Sequence, residues 1–205
     1  MKVLLINGSP NENGCTFTAL SVVANALNSE GIDTEIFHIG NKAIHGCTGC
    51  GSCSKTGKCV FDDTVNIAAA KMKEADGLVI GSPVYFASAN GSLISFLDRM
   101  FMVCKDFAYK PGAAIASARR AGTTATIDEL QKYLIIRNMP LAASNYWPMV
   151  HGSKPEDVLK DEEGVQIMRI LGKNMAWLLK SIEAGKNVGI KLPEQEAKIK
   201  TNFIK

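Results

Sequence analysis

Lys2-Val3-Leu4-Leu5-Ile6-Asn7-Gly8-Ser9-Pro10-Asn11-Glu12-Asn13-Gly14-Cys15-Thr16 is the stretch on which the reading of the whole chain turns. Val3 to Ile6 is a short apolar run closed by Asn7-Gly8, the pattern of a strand buried on both faces of a parallel sheet. A polar loop bearing two glycines follows, and beyond it Phe17, Leu20, Ala24 and Leu27 recur at helical spacing. Strand, loop and helix in this order make a seat for an anion. The first turn of the helix has N–H groups with no intrahelical partner, its dipole favours negative charge, and the hydroxyls of Ser9 and Thr16 can add donors.

What the loop lacks narrows the anion. A nucleoside-triphosphatase loop needs Gly-x4-Gly-Lys-Ser/Thr, but here five residues separate Gly8 from Gly14 and Cys15 stands in place of the lysine. The Gly-x-Gly-x-x-Gly pattern of dinucleotide folds is also missing. What remains is a lysine-free, hydroxyl-rich pocket suited to one terminal phosphate monoester. An ordinary strand-to-helix turn would share this composition, so the later loops must decide.

At 205 residues the chain fits one domain with a sizeable core. No apolar run approaches the roughly 20 residues of a membrane helix, and the start enters a strand at once, without a signal-peptide pattern. The expectation is therefore a cytoplasmic protein that does not engage a membrane. The formal charge of +3 resides in the last 21 residues, where Lys186, Lys191, Lys198, Lys200 and Lys205 face Glu194 and Glu196. The remainder balances at 18 basic and 18 acidic residues, so no basic face argues for nucleic acid.

Working outward, Thr34 to Ile39 reads as a half-exposed edge strand, and Gly40 to Asp63 as a long loop without helical period. Asp62, Asp63 and Thr64 can cap a helix whose buried face is Val65, Ala68, Met72 and Ala75. Gly77 to Gly81 is a second central strand that opens into a loop from Ser82 to Gly91. A helix marked by Leu93, Leu97, Met100 and Cys104 follows. Gly112 to Ser117 is a third small-residue strand, followed by the loop Ala118 to Thr124 and a helix through Ile127, Leu130 and Leu134. Leu141 to Val150 holds the last strand and its exit loop. Met168 to Ile182 makes the final helix, so that residues 1–184 form one domain and 185–205 a C-terminal extension.

This alternation implies an α/β three-layer sandwich around a five-stranded parallel sheet, in the flavodoxin-like order 2-1-3-4-5. The loops after strands one, three and four then meet at the carboxyl ends, where the strand order reverses. The second loop places Tyr85 and Phe86 next to the phosphate seat, with Pro83 stiffening the approach, and suits a planar ring. Ser117, Arg119 and Gly122 would complete the far wall, where Arg119 or Arg120 could meet charge developing on the ring. A terminal phosphate with a planar ring describes FMN, whose own chemistry leaves no catalytic side chain to be sought.

With these motifs in place, the chain resembles the NADPH-dependent FMN reductase superfamily of flavodoxin-like proteins. The resemblance rests on Val3 to Pro10 with Gly14-Cys15-Thr16, on Gly81-Ser-Pro-Val-Tyr-Phe86, and on Phe96-Leu-Asp-Arg99, and spans about residues 1–140. It implies that Ser9, Asn11, Asn13, Cys15 and Thr16 hold the FMN phosphate, that Pro83, Val84, Tyr85 and Phe86 border the isoalloxazine, and that Ser117 with the loop to Gly122 closes on the ring or ribityl chain. At Cys15 relatives often carry asparagine or another polar residue, but a backbone N–H can donate there whatever the side chain. The resemblance also implies a homodimer or homotetramer, with NADPH or NADH as co-substrate.

Cys47, Cys50, Cys53 and Cys59 are spaced Cys-x2-Cys-x2-Cys-x5-Cys within thirteen residues. Three thiolates at every third position, with glycines between them, can wrap one face of a cubane, much as bacterial ferredoxin motifs begin. Zinc more often takes two separated Cys-x2-Cys knuckles. The spacing resembles the compact motif of iron–sulfur flavoproteins, a branch of the same superfamily with a [4Fe–4S] cluster beside FMN. Free thiols, a zinc ion and a redox-active dithiol are the alternatives.

The expected function is thus an FMN-dependent oxidoreductase. It would take electrons from NAD(P)H or a ferredoxin-like protein partner and pass them to flavin, a quinone or an iron centre, through the cluster if one is bound. A cluster-free quinone or azo-type reductase and a non-catalytic FMN electron carrier are the rivals.

Overall fold

Successive side chains of the central strands point to opposite faces of the sheet, and on β1 (Lys2–Asn7), β3 (Gly77–Tyr85) and β5 (Gly112–Ala118) the inner positions on both faces are buried. Val3, Leu5, Val79, Ala113 and Ile115 face α1 (Cys15–Ser29) and α7 (Glu162–Asn187). Leu4, Ile6, Leu78, Ile80 and Ala114 face α3 (Thr64–Glu74), α4 (Gly91–Val103) and α5 (Thr123–Ile135). Two apolar layers, one on each side of a parallel sheet, need helices on both sides, and the crossovers provide them. The computed structural model describes residues 1–194, 196–197, 199 and 201–203; Lys198, Lys200 and Lys205 of the basic tail lie outside them.

The parallel strands run in the order β2-β1-β3-β5-β6, with β2 (Asp33–His38) and β6 (Met149–His151) at the edges. Counted among parallel strands alone, this is the 2-1-3-4-5 order read from the sequence. Register is fixed by side-chain alternation: Leu4 lies beside Leu78, and Ile80 beside Ala114. A sixth strand, β4 (Ser88–Ala89), pairs antiparallel with the end of β3, so the stretch after Gly81 is a hairpin and not the open loop expected. The sheet has six strands in place of five because β3 runs on past the core to Tyr85, where burial no longer marks it.

Three other boundaries differ. The last parallel strand is only three residues long, and Leu141 makes an isolated bridge to Gly112, because the intervening segment bulges away from the sheet. The long loop contains a five-residue helix, α2 (Ser52–Thr56), too short for a hydrophobic period. The final helix begins at Glu162, capped by Asp161 through the Gly164 N–H, and continues through Gly185 to Asn187. A short α6 (Pro155–Val158) precedes it. No described helix is long and apolar enough to cross a membrane.

α7 packs tightly against α1 at Gly172. A Cβ built there would stand 2.7 Å from the Ala26 Cβ and 2.8 Å from the Val23 carbonyl oxygen. Gly172→Ala should therefore force the helices apart and cost about 1 to 3 kcal/mol, as overpacking does. Urea unfolding of the purified protein measures this, and an unchanged midpoint would show that the pair separates freely.

Candidate functional site

Asn7 ends β1 and organises the turn beyond it. Its Oδ1 accepts from the Ser9 N–H at 3.1 Å, and its Nδ2 donates to the Glu12 carbonyl at 2.9 Å. Ser9 Oγ in turn accepts from the Asn11 N–H at 3.1 Å, and His38 Nε2–H donates to the Ser9 carbonyl at 2.8 Å. These bonds hold the loop open above α1. The N-cap of α1 is Gly14, which has no side chain to cap the first turn. Donors at that helix end are thus left for a ligand, the arrangement that favours a phosphate.

The second loop is locked to the first through Gly8. Its N–H donates to the Gly81 carbonyl at 2.9 Å, and its carbonyl accepts from Asn90 Nδ2 at 3.1 Å. A Cβ on Gly8 would lie 2.5 Å from Leu93 Cδ2 and 2.8 Å from the Gly81 oxygen, so only glycine fits. Asn90 also caps α4 through the Ser92 N–H at 2.8 Å. At the hairpin tip Phe86 and Ala87 both have positive φ, 51° and 60°, the mirror-type turn that matches strand twist but strains L-residues. Glu129 anchors the return strand, accepting from Ser88 Oγ at 2.6 Å and the Ala89 N–H at 2.9 Å.

The third loop meets both. Ser117 Oγ shares a buried 2.8 Å hydrogen bond with Thr16 Oγ1. Gly122, with φ of 95°, packs so tightly beneath the hairpin that a Cβ would approach Ala87 Cα to 2.6 Å. The three loops enclose a cleft of about 290 Å3 lined by Ser9, Asn11, Cys15, Thr16, Pro83, Val84, Tyr85, Ser117 and Arg119. The other expected residues sit around it. Asn13 lines a neighbouring cavity with His38 and Pro155, Gly122 supports the hairpin from below, and Phe86 projects fully exposed from the tip. Two lining residues escaped the sequence reading, Gly152 and Ser153 after β6. They carry no motif and enter the cleft only because β6 pairs with β5.

The polar character of the cleft suits an anion at α1. Burial pushes the Cys15 thiol up, its own backbone N–H offsets this in part, and Asp157 and Glu156 raise it further. Its Sγ points to the Gly152 carbonyl at 3.7 Å. A neutral thiol beside the helix end does not repel a phosphate.

The four cysteines face a second, apolar cavity of about 90 Å3 between the loop and α4. Cys47 and Cys50 are exposed, whereas Cys53 and Cys59 are half-buried and pack against the core. Gly49, Gly51 and Gly57 have φ of 67°, 71° and 68°, turns that let the chain curl around the cavity. Among the described residues no group of three or more His, Cys, Asp or Glu side chains is gathered so as to hold a metal ion. Cys47, Cys50, Cys53 and Cys59 all line that one cavity, and thiolates are soft ligands of the kind that iron–sulfur clusters take. Beneath the loop Arg99, 1% exposed, makes a two-bond ion pair with Asp63, at 2.6 and 2.9 Å.

A doubly wound parallel sheet whose first, third and fourth parallel strands open at their carboxyl ends onto one cleft, with an uncapped helix end at its floor, defines a flavodoxin-like α/β protein. The chain belongs to the NADPH-dependent FMN reductase family, whose family model matches residues 1–154. An iron-sulfur flavoprotein of Methanocaldococcus jannaschii is 35% identical over 193 residues, covering 89% of this chain and 100% of that protein. An iron-sulfur flavoprotein of Methanosarcina thermophila is 26% identical over 193 residues, covering 91% of this chain and 100% of its own. Among solved structures, a flavodoxin from the domain Archaea superimposes with a TM-score of 0.60 at 15% identity, over 88% of this chain and 99% of that one, which is a likeness of fold.

Because Gly122 has no room for a side chain and an unfavourable φ for one, Gly122→Ala should displace the hairpin while leaving the core intact. The expected result is FMN binding weakened roughly tenfold or more, for a strain of about 1 to 3 kcal/mol, with unaltered far-ultraviolet circular dichroism. Titration by flavin fluorescence reads it, and wild-type affinity would show that the hairpin and third loop need not touch.

Proposed function

We propose that this chain binds FMN in the three-loop cleft and works as an oxidoreductase. In this reading it carries electrons from NAD(P)H or a ferredoxin-like donor to flavin, a quinone or an iron centre, with a [4Fe–4S] cluster on Cys47, Cys50, Cys53 and Cys59. The observation that carries this reading is the cleft itself, in which an uncapped helix end and the Thr16 and Ser117 hydroxyls lie on the same floor as the hairpin bearing Tyr85. Bound there, FMN would supply hydride acceptance and single-electron transfer, and a cluster would supply single electrons.

The chain's own residues bind and orient. The first-turn N–H groups of α1, with Ser9 Oγ and Thr16 Oγ1, receive the phosphate, and Thr16 is held in place by Ser117. Pro83, Val84 and Tyr85 present a flat, stiff edge for the ring, kept there by the grip of Glu129 on Ser88 and Ala89. Arg119 adds a cation to the far wall, where a donor or positive charge favours reduced flavin. The four thiols supply soft ligands around one cavity, and their Cys-x2-Cys-x2-Cys-x5-Cys spacing supports the cluster over a single zinc ion. The exposed aromatic side chains of Tyr85 and Phe86 on the hairpin and of Trp177 on α7 support self-association as a homodimer or homotetramer.

Anaerobic purification followed by flavin, iron and sulfide assay tests the proposal. About one FMN per chain, and about four irons per chain with matching sulfide after reconstitution, are expected. The four-cysteine variant (C47S, C50S, C53S and C59S together) should keep flavin and lose iron. Bleaching by NADPH, followed by recovery on adding a quinone, would support catalytic turnover. Bleaching only when a reduced ferredoxin is supplied would assign the donor role to the protein, and a colourless preparation that takes up no FMN would sink the reading.

A further inference from the structure

Arg99 is the largest fully buried side chain described, and a buried cation is costly unless every donor is matched. All five of its N–H groups have acceptors. Nη1 donates to Asp63 Oδ2 at 2.6 Å and the His45 carbonyl at 3.2 Å, and Nη2 to Asp63 Oδ1 at 2.9 Å and the Phe61 carbonyl at 3.3 Å. Nε donates to Cys59 Sγ at 3.2 Å. The guanidinium also lies 4.9 Å from the Phe61 ring centroid, and that ring stacks on His45 at 4.4 Å. The acceptors thus come from both ends of the cysteine loop, His45 before Cys47 and Phe61 with Asp63 after Cys59. One side chain ties the loop closed.

The fifth bond is the informative one. Closing the loop requires only the carbonyls and Asp63, yet Nε is aimed at a cysteine sulfur. Asp63 neutralises the guanidinium, so the half-buried Cys59 meets a fixed N–H donor on a fully buried side chain and not a free charge. A donor to a sulfur stabilises the state in which that sulfur carries more negative charge, which for an iron–sulfur centre is the reduced state. Cys47 and Cys50 lie on the exposed side, where water can donate.

We infer that Arg99 is a positioning residue of the cysteine centre, clamping the loop that carries its ligands and raising its reduction potential through the Nε–H···Sγ bond to Cys59. This rests on the cluster reading proposed above. A cluster bound there would receive single electrons from the donor proposed above, NAD(P)H by way of flavin or a ferredoxin-like protein, and the Arg99 guanidinium would neither gain nor lose a proton.

The test uses the whole protein, purified anaerobically and reconstituted. Wild type grown on arginine labelled with 15N in the guanidino group is reduced with dithionite and examined by pulsed electron paramagnetic resonance. A 15N coupling to the reduced centre is expected, and Arg99→Lys should lose it and shift the midpoint to a more negative value in a spectroelectrochemical titration. A loaded wild type without the coupling, or a loaded Arg99→Lys with an unchanged midpoint, overturns the role of Arg99 and leaves the cluster standing. Iron-free wild type after reconstitution, seen by iron assay before any variant is made, overturns the cluster and this inference together. Should Arg99→Lys fail to fold, the labelled wild type decides by itself.

Discussion

The contact on which the rest of the site depends is the meeting of two backbones at Gly8 and Gly81. A hydrogen bond of 2.9 Å joins them, Leu93 closes the space a side chain would need, and Asn90 reaches back to the Gly8 carbonyl. The first loop is held against the second by main chain, and main chain cannot relax by changing rotamer. Asn90 also starts α4, so the helix that carries Arg99 begins at the same junction. The phosphate seat, the hairpin edge and the floor under the cysteine loop share one origin.

Polar groups at this edge of the sheet are satisfied by one another and leave only selected donors free. Asn7, Ser82 and Asn90 are buried, and each is used to fix a turn. The α1 terminus, by contrast, has glycine where a capping side chain would stand. α5, which starts after Gly122 in the third loop, lacks a capping side chain as well, so this edge of the sheet keeps its unspent hydrogen-bonding capacity at the starts of α1 and α5, where an anion gains most. Arg99 applies the same economy to the cysteine loop: a segment with little apolar surface of its own is fastened by one fully matched cation.

Much of this was legible beforehand because it rests on local rules. Continuous apolar runs at Val3–Ile6 and Gly77–Gly81 marked buried parallel strands, and the three-and-four spacing from Met168 to Ile182 marked a helix. The hairpin at Tyr85–Ser88 was not legible, since Phe86 and Ala87 adopt positive φ without glycine and are held there by Glu129 from α5, 41 residues beyond Ser88 in the case of the hydroxyl bond. Phe86, read as a wall of the cleft, projects from the tip because the turn points its side chain outward. Gly152 and Ser153 follow a three-residue edge strand too short to show a period.

By itself the sequence determined the doubly wound parallel sheet, the three loops at the carboxyl ends of its strands, the absence of a triphosphate lysine, and the spacing of four cysteines. Each follows from periodicity or from residue chemistry within a few neighbours. Only the tertiary structure decided that Gly122 supports the hairpin, that Thr16 and Ser117 share a proton-donating bond, and that Arg99 reaches Cys59. Those facts join residues 35, 101 and 40 positions apart. Which donor meets which acceptor across such distances is set by how the layers pack, and no local pattern encodes it.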